Sequence, residues 1–271
     1  MSRVLLVGCG KMGGALLAGW VDLGMGADKI VVVETDPDQR QTVRTRHGVS
    51  AFASASDLPE SFHPDVVVLA VKPQAMADVV PGYRRFAGGE SVFLSIAAGK
   101  PIGWFAERLA AHTPIVRAMP NTPAAIRRGM TVACADPQVS PLQRQRCDAL
   151  LTAVGEVAWV EEESLMDAVT AVSGSGPAYV FLLVEALTRA GTTAGLSAGL
   201  AGRLARATVV GSGALLGEAV AMEPATLRQN VTSPGGTTAA ALAVLMAPDG
   251  LEVLMTRTVE AAARRSRELS G

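Results

Sequence analysis

The chain has 271 residues, with 24 Lys+Arg against 25 Asp+Glu, a hydrophobic fraction of 49% and only 4% aromatics. Near-neutral charge without blocks of like sign argues against nucleic acid and anionic membrane as main partners, and so apolar a chain is not disordered. The length suits one large or two ordinary domains, with cores built mainly from Ala, Val, Leu and Met. Cys9, Cys134 and Cys147 are odd in number and widely spaced, which fits buried reduced thiols in a cytoplasmic protein. No CxxC or His/Cys cluster points to a metal. The longest uncharged stretches, 168–184 and 229–248, contain Ser, Gly, Pro or Asn and are not expected to span a membrane.

In chain order, a β-branched run at 4–7 predicts a strand, and the spacing of apolar residues after it predicts a helix over 14–23. Further strands are expected at 30–34, 66–70, 91–96, 115–118, 131–135 and 156–160. Helix-like segments at 37–46, 102–111 and 141–154 lie between them, each started or stopped by Pro or Gly. This alternation predicts a mostly parallel sheet with crossover helices. Past the acidic run Glu161-Glu162-Glu163 the strand signals fade, and helices are expected at 177–191, 197–218, 224–230, 238–246 and 250–269. The boundary is therefore placed between 163 and 164. An all-α domain of that size buries little surface alone. Its apolar helices, notably 201–216, are expected to be covered by a second subunit in an obligate homodimer.

Gly8-Cys9-Gly10-Lys11-Met12-Gly13 follows the first strand and opens the first helix, and the second strand ends in Glu34. In that context the glycines permit a tight turn and close approach of a pyrophosphate to a helix N-terminus, the pattern of a Rossmann-like dinucleotide-binding domain. Glu34, with Thr35 and Asp36, sits where a carboxylate would accept from ribose hydroxyls and repel a 2′-phosphate, which favours NADH over NADPH; either acid also reads as a simple cap. Ala70-Val71-Lys72-Pro73 and Ile96-Ala97-Ala98 leave strands at their carboxyl ends, where open α/β sheets bind ligands. Lys72 suits cofactor phosphate or ribose, or is an ordinary loop lysine. Asn121, between Pro120 and Pro123, is presented rigidly, as a structural turn or as an active-site wall.

Past residue 112 there is no His and past residue 100 no Lys, so the second half lacks the usual acid–base groups of hydroxy-acid dehydrogenases. Reduction of an already protonated C=N bond needs only alignment and a hydrogen-bond donor. Two hydroxyl- and glycine-rich segments could supply these: Ser173-Gly174-Ser175-Gly176-Pro177, and Val231-Thr232-Ser233-Pro234-Gly235-Gly236-Thr237-Thr238, whose clustered N–H groups suit a carboxylate. Each reads also as a helix cap with a packing glycine. Neither has a neighbouring base to activate a serine nucleophile.

With these segments in this order, together with AVKPQ at 70–74, SIAAG at 95–99 and RAMPNTPA at 117–124, the chain resembles the pyrroline-5-carboxylate reductases along its whole length. The resemblance implies a Rossmann-like domain over 1–163, then an all-α substrate-binding and dimerisation domain over 164–271, in dimers that assemble further, up to homodecamers. It implies NAD(P)H-dependent reduction of 1-pyrroline-5-carboxylate to L-proline. The family's cofactor contacts carry over to Val7, Gly8, Cys9, Gly10, Lys11, Met12, Ala70, Val71, Lys72, Pro73, Ile96, Ala97, Ala98 and Asn230. Its substrate contacts carry over to Ser233, Gly236, Thr237 and Thr238, with Thr238 the donor to the ring nitrogen, and Glu163 matches a position near the substrate or reads equally as a solvated charge in its acidic run. Many members carry small hydroxyl residues where this chain has Glu34 and Asp36, so both NADPH and NADH are expected cofactors, with a lean to NADH. Another imine or β-hydroxy acid oxidoreductase, or a non-catalytic dinucleotide-binding protein, is the alternative reading.

Overall fold

Eight short runs, most of them rich in Val, Leu and Ile, form one sheet: β1 (Val4–Val7), β2 (Ile30–Val33), β3 (Ser50–Phe52), β4 (Val66–Leu69), β5 (Val92–Ser95), β6 (Ile115–Met119), β7 (Gly129–Ala135) and β8 (Gly155–Val160). The computed structural model describes residues 2–270. β1, β4 and β5 are buried at every position, as strands covered by helices on both faces must be. The order is β3-β2-β1-β4-β5-β6-β7-β8, parallel throughout except for the antiparallel pair β6–β7. β1 lies between β2 and β4, so the chain runs one way from β1 to β3 and the other way from β4 onward. The crevice at the carboxyl ends of β1 and β4 is thus a topological switch point, where such sheets bind ligands.

Alternate strand residues feed two cores. Val4, Leu6, Val66 and Val68 pack with α1 (Lys11–Asp22), α2 (Pro37–His47) and, further along the chain, residues 141–152. Leu5, Val7, Val67 and Leu69 pack with the turn of 73–86, which contains α3 (Met76–Val79), with α4 (Ile102–Arg108) and with Met166. The helix over 141–152 is α5 (Pro141–Thr152), and Met166 opens α6 (Met166–Val169). Gly19 of α1 lies so close to α5 that a Cβ would stand 2.8 Å from the Ala153 carbonyl oxygen. Trp20 Nε1 donates to Leu150 O at 2.8 Å across the same contact.

Several boundaries differ from expectation. α1 begins at Lys11 and not at Gly14, because Gly10 itself is the cap and its carbonyl accepts from Gly14 N. α4 ends at Arg108, where Leu109 leaves helical geometry. β3 and the helical turns of 73–86 were not anticipated. The first compact unit runs on through Gly174 and takes in the residues from Ala262, the second being 175–261. Residues 164–174 stay with the sheet because Met166 and Ala171 are buried there and the Asp167 carboxylate accepts from Ser266 Oγ at 2.6 Å.

The second unit consists of α7 (Gly176–Thr193), α8 (Ala198–Glu218), α9 (Pro224–Asn230), α10 (Thr237–Leu245) and the start of α11 (Leu251–Ser270). α7 and α8 approach closely, a Cβ on Gly191 falling 3.2 Å from that of Ala201. Among the described residues of this unit only Ala201 and Ala205 are buried, while Phe181, Leu183, Leu215 and Val244 are exposed. The run 168–184, expected to be unsuited to a membrane, lies in the helical stretch Glu163–Thr193, which by length and composition alone is sufficient to cross one. A π-helical turn at Thr170–Gly174 interrupts it.

Candidate active site

The turn after β1 is built for close approach. Gly8 has φ +86°, donates its N–H to Val33 O at 2.8 Å, and leaves no room for a Cβ, which would stand 2.7 Å from Val71 Cγ1. A Cβ on Gly13 would overlap the Gly8 carbonyl oxygen, so α1 can start hard against the turn only with glycine there. Gly10, the α1 cap, supplies no side chain, and the first N–H groups of the helix stay open to a ligand.

Glu34 closes the other side. Its Oε2 accepts from Cys9 N at 2.7 Å and its Oε1 from Asp36 N at 3.0 Å, so the carboxylate ties the glycine turn to the end of β2. The Asp36 carboxylate caps α2, accepting from Asp38 N and Gln39 N, so the cap reading of this acidic pair holds for Asp36. Arg40 lies closer to the turn than its spacing suggests, Nη1 donating to the carbonyls of Glu34 at 2.9 Å and Thr35 at 2.7 Å. Gln39 Nε2 holds the Cys9 carbonyl at 2.8 Å. Burial pushes the Cys9 thiol up to about 11, the bond from Gln39 opposing and the Glu34 charge adding, so this thiol is inert at neutral pH.

Val7, Gly8, Gly10, Glu34, Thr35, Asp36, Ala70, Val71 and Lys72 are brought together around one cavity of about 760 Å³. Pro73 opens the turn behind Lys72. Lys11 instead lines a separate cavity of about 450 Å³ with Arg46 and His47, and Met12 packs on the core. Burial and the Arg46 charge lower the His47 pKa. Ile96 N donates to Leu69 O, and Ala97 N to the buried Ser95 hydroxyl at 3.3 Å; Ala98 follows in the same loop. Gln39, Ser54 and Tyr83 also line the larger cavity and were not anticipated. The signal for Gln39 was available, since it lies on the first turn of α2 beside Asp36; Ser54 follows β3 and Tyr83 lies in the turns of 73–86, segments that were themselves missed.

Arg117 is buried in β6 and ion-paired at 2.9 Å with Glu163, whose Oε1 also accepts from Ile102 N at 2.8 Å. Asn121 is a three-way tie: its Nδ2 donates to Ser173 O and Oγ at 3.3 and 3.2 Å, and its Oδ1 accepts from Met130 N at 2.9 Å. The prolines around it therefore hold a junction of the first unit.

In the second unit, the loop from α9 to α10 turns at Gly235, φ +68°, and Gly236 N donates to Ser233 O at 3.0 Å. Gly236 is the α10 cap and brings no side chain, so Ser233, Thr237 and Thr238 cluster around a helix start whose N–H groups no side chain caps. Asn230 closes α9, its Nδ2 3.7 Å from Met222 Sδ. Among the described residues no group of three or more His, Cys, Asp or Glu is placed to hold a metal.

Residues 163–269 match the pyrroline-5-carboxylate reductase dimerisation family, and residues 3–99 match the coenzyme F420-dependent NADP oxidoreductase family. A pyrroline-5-carboxylate reductase of Pseudomonas aeruginosa is 40% identical over 268 residues, covering 99% of this chain and 97% of that protein. One of Mycobacterium tuberculosis is 41% identical over 294 residues, with the same coverages. The structure of a pyrroline-5-carboxylate reductase from Coxiella burnetii superposes with a TM-score of 0.93 at 34% identity, covering 100% of this chain and 99% of that one. That of Plasmodium falciparum, with NADP bound, gives 0.82 at 27% identity, covering 100% and 98%.

Proposed function

The chain belongs to the pyrroline-5-carboxylate reductase family, and we propose that it reduces the C=N bond of 1-pyrroline-5-carboxylate to give L-proline, its first unit holding NAD(P)H and its second the imino acid. The observation that carries the reading is the α10 start: an N-terminus without a side-chain cap, ringed by the hydroxyls of Ser233, Thr237 and Thr238, in a half of the chain without His or Lys. Such a site takes a carboxylate and offers a neutral donor, but no base strong enough for alcohol oxidation.

The first unit fits a dinucleotide, since the Gly8 and Gly13 positions would be filled by any Cβ and the cavity beside them lies at the sheet's switch point. When bound, the reduced cofactor supplies a hydride to the C=N carbon. The chain's own part is to hold and orient. Gly8, Gly10 and the α1 start receive the pyrophosphate, Glu34 accepts from the ribose, Lys72 holds a phosphate or ribose oxygen, and the loop of Ile96, Ala97 and Ala98 flanks the nicotinamide end. Thr237 and the α10 N–H groups hold the substrate carboxylate, and the Thr238 hydroxyl donates to the ring nitrogen. The charge at Glu34 favours NADH over NADPH.

The exposed apolar side chains of α7, α8 and α10 are covered by a second copy of the chain in a dimer, which assembles further toward a decamer. The three buried free thiols suit a reducing compartment, the cytoplasm. Mixing the protein with pyrroline-5-carboxylate and either reduced dinucleotide tests the assignment: the near-ultraviolet absorbance of the nicotinamide must fall as proline forms. Binding of dinucleotide without turnover would leave a nucleotide-binding protein of another purpose.

A further inference from the structure

We infer that Glu163 is a positioning residue for the dinucleotide, clamping the loop 96–101 through Arg117 and the Ile102 amide. The Arg117 side chain is only 6% exposed, and a charge buried that deeply requires a partner; Glu163, 30% exposed, supplies it at 2.9 Å. The same carboxylate oxygen accepts from Ile102 N at 2.8 Å, an amide that as the first residue of α4 has no acceptor within its own helix. Arg117 stands directly opposite Ser95 in the β5–β6 register, and Ser95 accepts from Ala97 N. Ile96 N is held by Leu69 O.

The loop is therefore fixed at its entry by Leu69 and Ser95 and at its exit by Glu163. Between these ties lie Gly99, at φ +70°, and Pro101, with no strand or helix of their own. The entry is tied by backbone and by a neighbouring side chain, whereas the exit depends on the side chain of a residue from beyond the sheet's last strand. Removing Glu163 would release the Ile102 amide and leave the Arg117 charge buried without a counter-charge, so the backbone of 96–101 would lose its fixed position. This assigns Glu163 an action through the cofactor loop in place of the expected substrate contact, and it rests on the reading of Ile96–Ala98 as a wall of the dinucleotide site.

Titration of the free enzyme with NADH, followed by fluorescence, separates the two roles when paired with the KM for the imino acid. Glu163→Ala is expected to raise the NADH dissociation constant about tenfold and leave the imino-acid KM within about twofold. Arg117→Met combined with Glu163→Gln keeps an acceptor for Ile102 N and removes both charges together, and is expected to recover NADH affinity to within about threefold. Glu163→Gln alone strands the Arg117 charge and should lose affinity by about threefold or more, which keeps the question answerable if the alanine variant does not fold. A raised imino-acid KM with unchanged NADH affinity would return Glu163 to substrate contact, and unchanged NADH affinity in every variant would remove the clamp. A wild-type enzyme that binds no dinucleotide would overturn the cleft assignment itself, a result distinct from either.

Discussion

Replacing Glu34 by Gln tests how this chain tells its two cofactors apart. The carboxylate is partly buried and already ordered, one oxygen on Cys9 N and the other on Asp36 N, so it cannot swing away from an arriving 2′-phosphate without releasing the glycine turn. Two unit charges about 4 Å apart repel by about 1 kcal/mol in water and about 4 kcal/mol at the effective dielectric of a protein surface. A phosphate at this half-open site should therefore lose about 2 kcal/mol, a preference for NADH of roughly thirtyfold in kcat/KM. Glutamine keeps a carbonyl acceptor but removes the charge, and Arg40, held on the carbonyls of Glu34 and Thr35, then dominates the local field. The ratio of kcat/KM for NADH over NADPH should fall at least tenfold in the variant. In the wild type it should shrink as salt is raised, because partly exposed charges are screened. Initial rates with each cofactor at low and high ionic strength give all four numbers. A wild type that prefers NADPH, or a ratio indifferent to the substitution, would refute the electrostatic account.

Three other perturbations have defined outcomes. Thr238→Val preserves shape and removes the proposed donor, so kcat/KM should fall by about one to three orders of magnitude while NADH affinity is unchanged; an unaltered rate would make water the proton source. The Thr131 hydroxyl is buried in β7 without a hydrogen-bond partner, and Thr131→Val should raise unfolding free energy by about 1 kcal/mol, read as a higher urea midpoint; a lower midpoint would mean that the hydroxyl is satisfied. Burial raises the Cys147 thiol from 9.0 to about 12, so above pH 9 the unfolded chain releases this proton first and stability falls as pH climbs toward 12. Cys147→Ala should make that decline shallower, and an identical slope in both proteins would show that other groups carry it.

The parts legible in the sequence were those where a residue's local neighbours determine its conformation. The β-branched and leucine runs of β1, β2 and β4 read as buried strands, and the first turn was readable because Gly8 and Gly13 stand where a Cβ would find no room. β3 escaped because it has only three residues, with a polar Ser50 and no apolar run to mark it. The turns of 73–86 escaped because Pro73, Pro81 and Gly82 break helical periodicity, and the chain answers with 3₁₀ geometry around a single α-turn. The acidic run at 161–163 looked like a solvated boundary. That one of its members pairs with an arginine 46 residues earlier depends on the β5–β6 register and on where α4 starts, which no local pattern encodes. The same holds for Asn121, whose rigidity was foreseen from its prolines but whose partners Ser173 and Met130 come from segments distant in sequence or on another strand.

The near-absence of buried side chains in the helices of 175–261 sets, for the proposed dimer, the reaction order of assembly. The sheet half has two full cores of its own and can collapse as a single chain, at a rate indifferent to concentration. The helical half, with only Ala201 and Ala205 shielded among its described residues, gains an interior in the proposed dimer by meeting another copy. Refolding is then unimolecular in its early phase and bimolecular in its last, and dilution alone slows the appearance of the finished enzyme.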